Sequence, residues 1–251
     1  MEKREKEGGG RGQRGRRVDP VRRGQKRPRR IASPEALLDH VERVGFLPLF
    51  KNDVPGFSVE ERTCAEDWWT GDAERDPWEW RELLARSGRV AYGKFFDKKA
   101  GFISLGWLPA FANCRRDGYD FDALWEDGKA HYRWKKLMDC FQNGEEHLSF
   151  ELKETAGFGK GGEPNFEGNV TALQMRLYLT VRDFRRRENR RGEPYGWPIA
   201  VYARPESVWG YETVTACYGE TPERSLSRIL RRLEERFPIP DRRGAERLIR
   251  L

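Results

Sequence analysis

The sequence predicts an α+β fold, mainly helical, made of winged-helix units with short β-hairpins behind a disordered basic N-terminal tail. Three observations predict it. Apolar residues recur at helical spacing through most of the body, and several of those stretches open on Ser, Thr or Asp followed by Pro. Two strand pairs, at residues 89–104 and 181–205, interrupt the helices. In the second half the order is helix, helix, helix, hairpin, which is the order of a winged helix. The expected division is a tail over 1–31, a helical and hairpin region over 32–128, a winged-helix unit over 129–210 and a helical extension over 211–251.

The tail accounts for the basic character of the chain. Residues 1–30 hold ten Arg and three Lys against three Glu and one Asp, a net +9, so the remaining 221 residues carry −2. A segment so poor in apolar residues buries too little surface to offset its ordering entropy, and disorder is expected. It can add sequence-independent phosphate contacts or act only as a solubilising extension. The body must therefore meet an anionic partner, if at all, through a local patch. Nine Trp and fourteen Phe supply a bulky core. No apolar run is long enough to cross a bilayer and none follows the basic start, so a soluble, cytoplasmic protein is expected. Cys64, Cys114, Cys140 and Cys217 are scattered, with no C-x-x-C pair and three His in the whole chain. Reduced thiols, no metal and no cofactor are expected.

Each element has a local reason. Ser33 caps a helix with Pro34 at its first position, and the helix runs to Gly45. "FLPLF" is a short extended segment. Thr63 and Glu66 have capping-box spacing. Asp76, Pro77, Glu79 and Gly88 mark the ends of another helix. "RVAYGKFFDKKAGFIS" reads as two strands around a turn at 97–99, and "LGWLPAFANCRR" as a short aromatic helix. A long helix is expected from Phe121 to Phe141, with Leu124, Trp134, Leu137, Met138 and Phe141 inward. Ser149 caps "FELKETA"; Asn169 caps "VTALQMRLYLTV", with Val170, Leu173, Leu177 and Val181 on one face. The strands "VRDFRRRE" and "YGWPIAVYARP" flank the turn "NRRGEP". "TPERSLSRILRRLEERF" is an amphipathic basic helix capped by Thr221.

"GFGKGGEPNFEGN" (157–169) looks at first like a phosphate loop. A Walker loop needs a strand before it and Ser or Thr after its Lys, followed at once by a helix. Here a helix precedes, Gly161 follows Lys160, and Pro164 delays the next helix. The stretch reads better as the link between the second and third helices of the winged unit. Its Lys160 then stands near a helix N-terminus, where phosphate can be held. On that reading the recognition helix presents Thr171, Gln174 and Arg176, and the wing presents Arg185, Arg186, Arg187, Arg190 and Arg191. Gln and Arg read base edges, and Arg also pairs with phosphate. The first hairpin region adds Lys94, Lys98, Lys99, Arg115 and Arg116. A solvated charged hairpin would have the same composition, but helix and wing agree, and DNA contact is the stronger reading.

From about Pro34 to Ser207 the sequence resembles the AlkZ/YcaQ family of bacterial DNA glycosylases, as a divergent AlkZ-related branch. The resemblance lies in "ERVGFLPLF", in "DPWEWRELLARSGRVAYGKFFDKKAGFISLGWLPAF", and in "HLSFELKETAGFGKGG", "ALQMRLYLTV" and "YGWPIAVYARPESV", in that order. It implies tandem winged helices around a DNA channel, excision of N-alkylated purines, unhooking of interstrand cross-links in some members, and a hairpin inserted at the lesion. It also implies a catalytic Q-x-Q or Q-x-D motif. Those positions fall here on Pro48 and Phe50, neither of which can orient a water.

Three functions follow from these residues. The first is a duplex-DNA-binding protein, for plain or alkylated DNA, related to the repair glycosylases. The second is an active N-glycosylase with a relocated carboxylate, for which Asp53 and Glu60 are the nearest candidates. The third is a protein-interaction scaffold. "WWTGDAERDPWEW" offers clustered carboxylates and Trp rings able to hold a cationic base, but the stronger reading makes Asp76 a helix cap and the Trp residues core.

Overall fold

A computed structural model describes residues 30–251. The expectation of a disordered tail lies outside the described residues, except at its end. Ile31 is buried, and its N–H donates to the Arg62 carbonyl at 2.8 Å, so order begins before Ser33.

The chain is α+β, with helices around two small antiparallel sheets. The helix α1 (Pro34–Val44) starts on Ser33, whose side chain accepts from Ala36 N–H. It ends at Gly45 with φ +105°, where a Cβ would lie 2.7 Å from the Trp107 ring. The strand β1 (Phe46–Pro48) follows. The helix α2 (Pro77–Ser87) is capped by Asp76 and ended by Gly88 in the left-handed conformation. The hairpin strands β2 (Val90–Phe96) and β3 (Lys99–Ser104) join β1 in the order β1-β3-β2. Gly101 lets this sheet close: a Cβ there would stand 2.5 Å from Phe96 and 2.8 Å from the Leu47 carbonyl oxygen.

The helix α3 (Leu108–Arg116) matches its expectation. The long helix expected over 121–141 is instead α4 (Phe121–Glu126), α5 (Tyr132–Met138) and a 3-10 turn at Asp139–Phe141. Gly128 breaks it with φ +68°, and the His131 side chain caps the new start by accepting from Arg133 N–H. Thr63 makes no capping box. It is buried, its hydroxyl donates to the Val59 carbonyl and accepts from Trp68 Nε1, and only a 3-10 turn follows (Ala65–Asp67).

The second sheet, β4-β6-β5, comprises β4 (His147–Leu148), β5 (Thr180–Glu188) and β6 (Pro194–Ala203). The helix α6 (Ser149–Thr155) has Leu148 rather than Ser149 as its cap, and Glu151 reaches back to the Leu148 N–H. The helix α7 (Phe166–Met175) starts after Asn165, which adopts φ +61° behind Pro164. Asn169 is therefore inside the helix, buried, with its amide donating to the Asn165 carbonyl. The helix does not reach Val181: Leu177 turns left-handed at φ +59° and β5 begins at Thr180. Val170, Leu173, Leu177 and Val181 are all buried, as their spacing suggests.

Four helices finish the chain: α8 (Pro205–Trp209), α9 (Tyr211–Thr215), α10 (Pro222–Arg236) capped by Thr221, and α11 (Arg242–Ile249). The hydrophobic core is one cluster drawing on residues from Ile31 to Ile249. Among the described residues no helix is long and apolar enough to cross a membrane.

Candidate nucleic-acid interface

The two hairpins approach each other across a cavity of about 500 Å³, lined by Phe50, α2, β2, the turn after β2, α7 and the β5–β6 hairpin. Side-chain bonds between distant segments build it. Gln174 on α7 accepts from the Lys94 backbone N–H at 3.0 Å, and the Thr180 hydroxyl donates to the Tyr92 carbonyl at 3.0 Å. Arg182 on β5 donates to the Ala85 and Arg86 carbonyls at the end of α2, supplying partners that a helix C-terminus lacks. Arg86 reaches back, pairing with Asp183 at 2.8 Å and donating to the Phe184 carbonyl.

The walls are aromatic. Phe50, Trp78, Tyr92, Phe184 and Tyr202 line the cavity, and Arg81 lies between two of them. Its guanidinium carbon is 3.8 Å from the Trp78 ring centre and 4.5 Å from that of Phe184. Arg81 also pairs with Glu82 at 2.9 Å, and burial raises the Glu82 carboxyl above its ordinary value. Burial holds the Tyr92 phenol well above its usual range and pushes Tyr202 up to about 12, so both stay neutral. Lys94, Lys98 and Lys99 complete the lining, and none of them forms an ion pair among the described residues. Lys94 Nζ donates to the Thr171 hydroxyl at 3.4 Å. Among the described residues no Asp or Glu lines the cavity.

The expected DNA-facing residues divide into groups. Lys94, Lys98 and Lys99 sit at this cavity with Thr171 beside them. Gln174 also lines it but is 1 % exposed and engaged by Lys94, so it is not displayed on an open helix face. Arg185, Arg186, Arg187, Arg190 and Arg191 lie on the β5–β6 hairpin, and all five are exposed. They differ in what surrounds them. Arg185 pairs with Asp183 and Glu146, and Arg187 lies over Phe150. Arg185, Arg186 and Arg187 line a separate groove with Tyr195 and Ile199, whereas Phe184, Pro198 and Ala200 of the same strands face the aromatic cavity. Arg190 and Arg191 have no ion-pair partner among the described residues.

Arg115 and Arg116 are structural, contrary to expectation. Arg115 is buried and donates to the Met175 and Ile249 carbonyls; burial lowers its pKa to about 10. Arg116 pairs with Glu206 at 2.5 Å and donates to Tyr218 and to the Leu177 carbonyl. Burial opposes its charge, but Glu206 and Tyr218 hold its pKa up. Arg176 is half-buried over Trp134 and lines a different cavity, of about 470 Å³.

Lys160 is exposed with no ion-pair partner among the described residues, and it lines neither cavity. The loop around it is tied up internally. The N–H groups of Gly159, Gly162 and Glu163 donate to carbonyls of the same loop. Glu163 accepts from Lys136, Tyr132 and Arg133, and these bonds hold its carboxyl down to about 2. Those backbone donors do not point at a phosphate.

Asp53 is exposed at a separate cleft of about 80 Å³, near Asp97, Lys99 and Arg247, and Glu60 accepts from the Lys51 N–H. Neither lines the aromatic cavity. Asp76 is fully buried and accepts from Trp78 and Gly71 N–H, so it serves as a cap. Arg81, Trp78 and Tyr92 were not among the expected site residues. Their signal was the i, i+3 spacing of Trp78 and Arg81 on α2 and the i, i+2 spacing of Tyr92 and Lys94 on β2. Among the described residues no group of three or more His, Cys, Asp or Glu is placed to hold a metal ion.

No curated protein and no solved structure matches the chain. A family model described as AlkZ related matches residues 31–250, which spans both hairpins and the cavity between them, and the chain belongs to that family.

Proposed function

We propose that the protein binds duplex DNA in DNA repair, using a winged-helix unit whose wing is the β5–β6 hairpin, and that it does so without the Q-x-Q or Q-x-D chemistry of AlkZ-type glycosylases. The observation that carries this reading is the cavity itself. Three lysines without acidic partners stand at its edge, and Phe50, at a position where the resemblance calls for a catalytic side chain, forms part of its wall. An aromatic ring there can stack but cannot polarise water. Arg190 and Arg191 extend the cationic surface along the wing.

The test is binding to plain and N7-methylated duplexes across a salt series, with base release followed on the methylated one. We expect affinity to fall steeply with salt, and no free 7-methylguanine. Replacing Arg186, Arg187, Arg190 and Arg191 by Ala, in a variant lacking residues 1–30, should flatten the slope by about 0.9 for each phosphate no longer neutralised. Absence of binding at low salt would favour a scaffold. Release of the base would establish a glycosylase, and its loss in Asp53→Asn or Glu60→Gln would locate the carboxylate.

A further inference from the structure

We propose that the cavity between the two hairpins receives an unpaired, uncharged nucleobase of a DNA strand, with the neighbouring phosphate on Lys98 and Lys99, and that it rejects a cationic N-alkylated base. This rests on the DNA-binding reading and names the ligand of the same site.

The shape fits a flat ring. About 500 Å³ is within the range of small-molecule sites, roughly 300–1,000 Å³. Phe50 offers a ring that no cation covers, on which any base can stack, and Tyr92 and Tyr202 complete the aromatic wall. The aromatic surface continues outward through Trp69, whose ring centre lies 4.5 Å from that of Trp78 and which is 62 % exposed.

The charge decides what kind of ring. A cationic base is held by the negative faces of aromatic rings or by a carboxylate. Here Arg81 already occupies the Trp78 and Phe184 faces, and no carboxylate of the described residues lines the cavity. Glu82 pairs with Arg81, whereas Lys94, Lys98 and Lys99 form no ion pair among the described residues. A second positive charge entering this space meets three lysines and no lining carboxylate, with the best ring faces already taken by Arg81, whereas a neutral base brings its phosphate to the lysines.

The backbone at the edge supports a binding role. The β2–β3 turn has two central residues, Asp97 at φ +46° and Lys98 at φ +63°. Such a turn favours Asn-Gly, so Lys98 keeps its side chain at a conformational cost. Trp69 is likewise held at φ +67°, where a bulky residue is an outlier. Two unfavourable conformations therefore display a cation and an indole beside one cavity.

The experiment uses the full-length protein and three duplexes alike but for one position: fully paired, carrying one bulged guanine, and carrying the same bulged guanine methylated at N7. Affinity is read by anisotropy and entry by quenching of tryptophan fluorescence. We expect the neutral bulge to bind about tenfold more tightly than either of the others, with quenching for it alone. Lys98→Glu with Lys99→Glu, both exposed and remote from the core, should close the gap between neutral and methylated bulges. Binding to all three duplexes with equal affinity, or tightest binding of the methylated bulge, overturns the inference and leaves DNA binding standing. Binding to none overturns both. Deoxyguanosine monophosphate binding as tightly as the bulged duplex would make the ligand a free nucleotide and overturn the strand-borne assignment.

Discussion

The helix α3 and the β2–β3 hairpin each carry a pair of adjacent cations, Arg115–Arg116 and Lys98–Lys99, and the fold treats them in opposite ways. The arginines are buried, and their donors are taken by carbonyls and by Glu206. The lysines are exposed and without ion-pair partners among the described residues. The sequence shows both as a basic doublet near aromatic residues. A charge becomes a surface feature only when no fixed acceptor lies within reach, and that is decided by segments far away in the chain. Guanidinium suits the buried role because its planar fork can meet several acceptors at once, while an ammonium on a flexible stem suits a water-facing role.

The comparison breaks most sharply at Arg116. Replacing it by Ala leaves Glu206 half-buried and without its Arg116 partner and frees the Leu177 carbonyl. The expected loss of stability is about 3–5 kcal/mol. A urea midpoint reads it, with DNA affinity of the folded protein unchanged. A loss under about 1 kcal/mol, the size of an exposed pair, would mean that the buried arginine is not a structural clamp. Lys98→Ala should do the reverse, with little change in midpoint and weaker DNA binding.

Gln174 sharpens the contrast from a residue expected on the open face of a recognition helix. Its side chain instead accepts the Lys94 N–H and so fixes the hairpin against α7. Gln174→Leu nearly keeps the volume and leaves that donor unsatisfied, at a cost of about 1–3 kcal/mol. DNA affinity should fall with it if Lys94 loses its position, because the lysine and the amide act through one hydrogen bond. Unchanged stability would show that water replaces the amide and that the cavity is more open than its lining suggests.

What was legible in the sequence was local. Ser33, Asp76 and Thr221 cap their helices because a short polar side chain and a following Pro decide a helix start almost alone. Both hairpins follow from alternation and turn residues. The family was legible in the order of motifs, and residues 31–250 match it. The misreadings are tertiary or turn on backbone conformation. Gly128 and Asn165 adopt left-handed conformations that periodicity cannot register. Gln174 finds its donor 80 residues away and Arg116 its carboxylate 90 away. The aromatic cavity was half visible, since Trp78 and Arg81 share a helix face. Phe184 joins them only through the packing of β5 on α2, held by Arg182 and Arg86.

The smallest effect tests the contrast within a single strand. Arg185 and Arg186 are neighbours on β5. Arg185 is engaged by Asp183 at 3.3 Å and Glu146 at 3.2 Å, whereas Arg186 forms no ion pair among the described residues and lies near enough to Glu82 to act on its carboxyl. A largely solvent-facing pair of this kind contributes about 0–1 kcal/mol, so Arg185→Ala should barely move the unfolding midpoint. It should also change the salt slope of DNA binding by less than the roughly 0.9 of one neutralised phosphate, because its charge already faces two carboxylates. Arg186→Ala should remove that full increment. If the two substitutions flatten the slope equally, acidic neighbours do not divert an arginine of this hairpin from DNA. The difference between buried and displayed cations would then come from burial alone, and pairing at the surface would carry no weight in it.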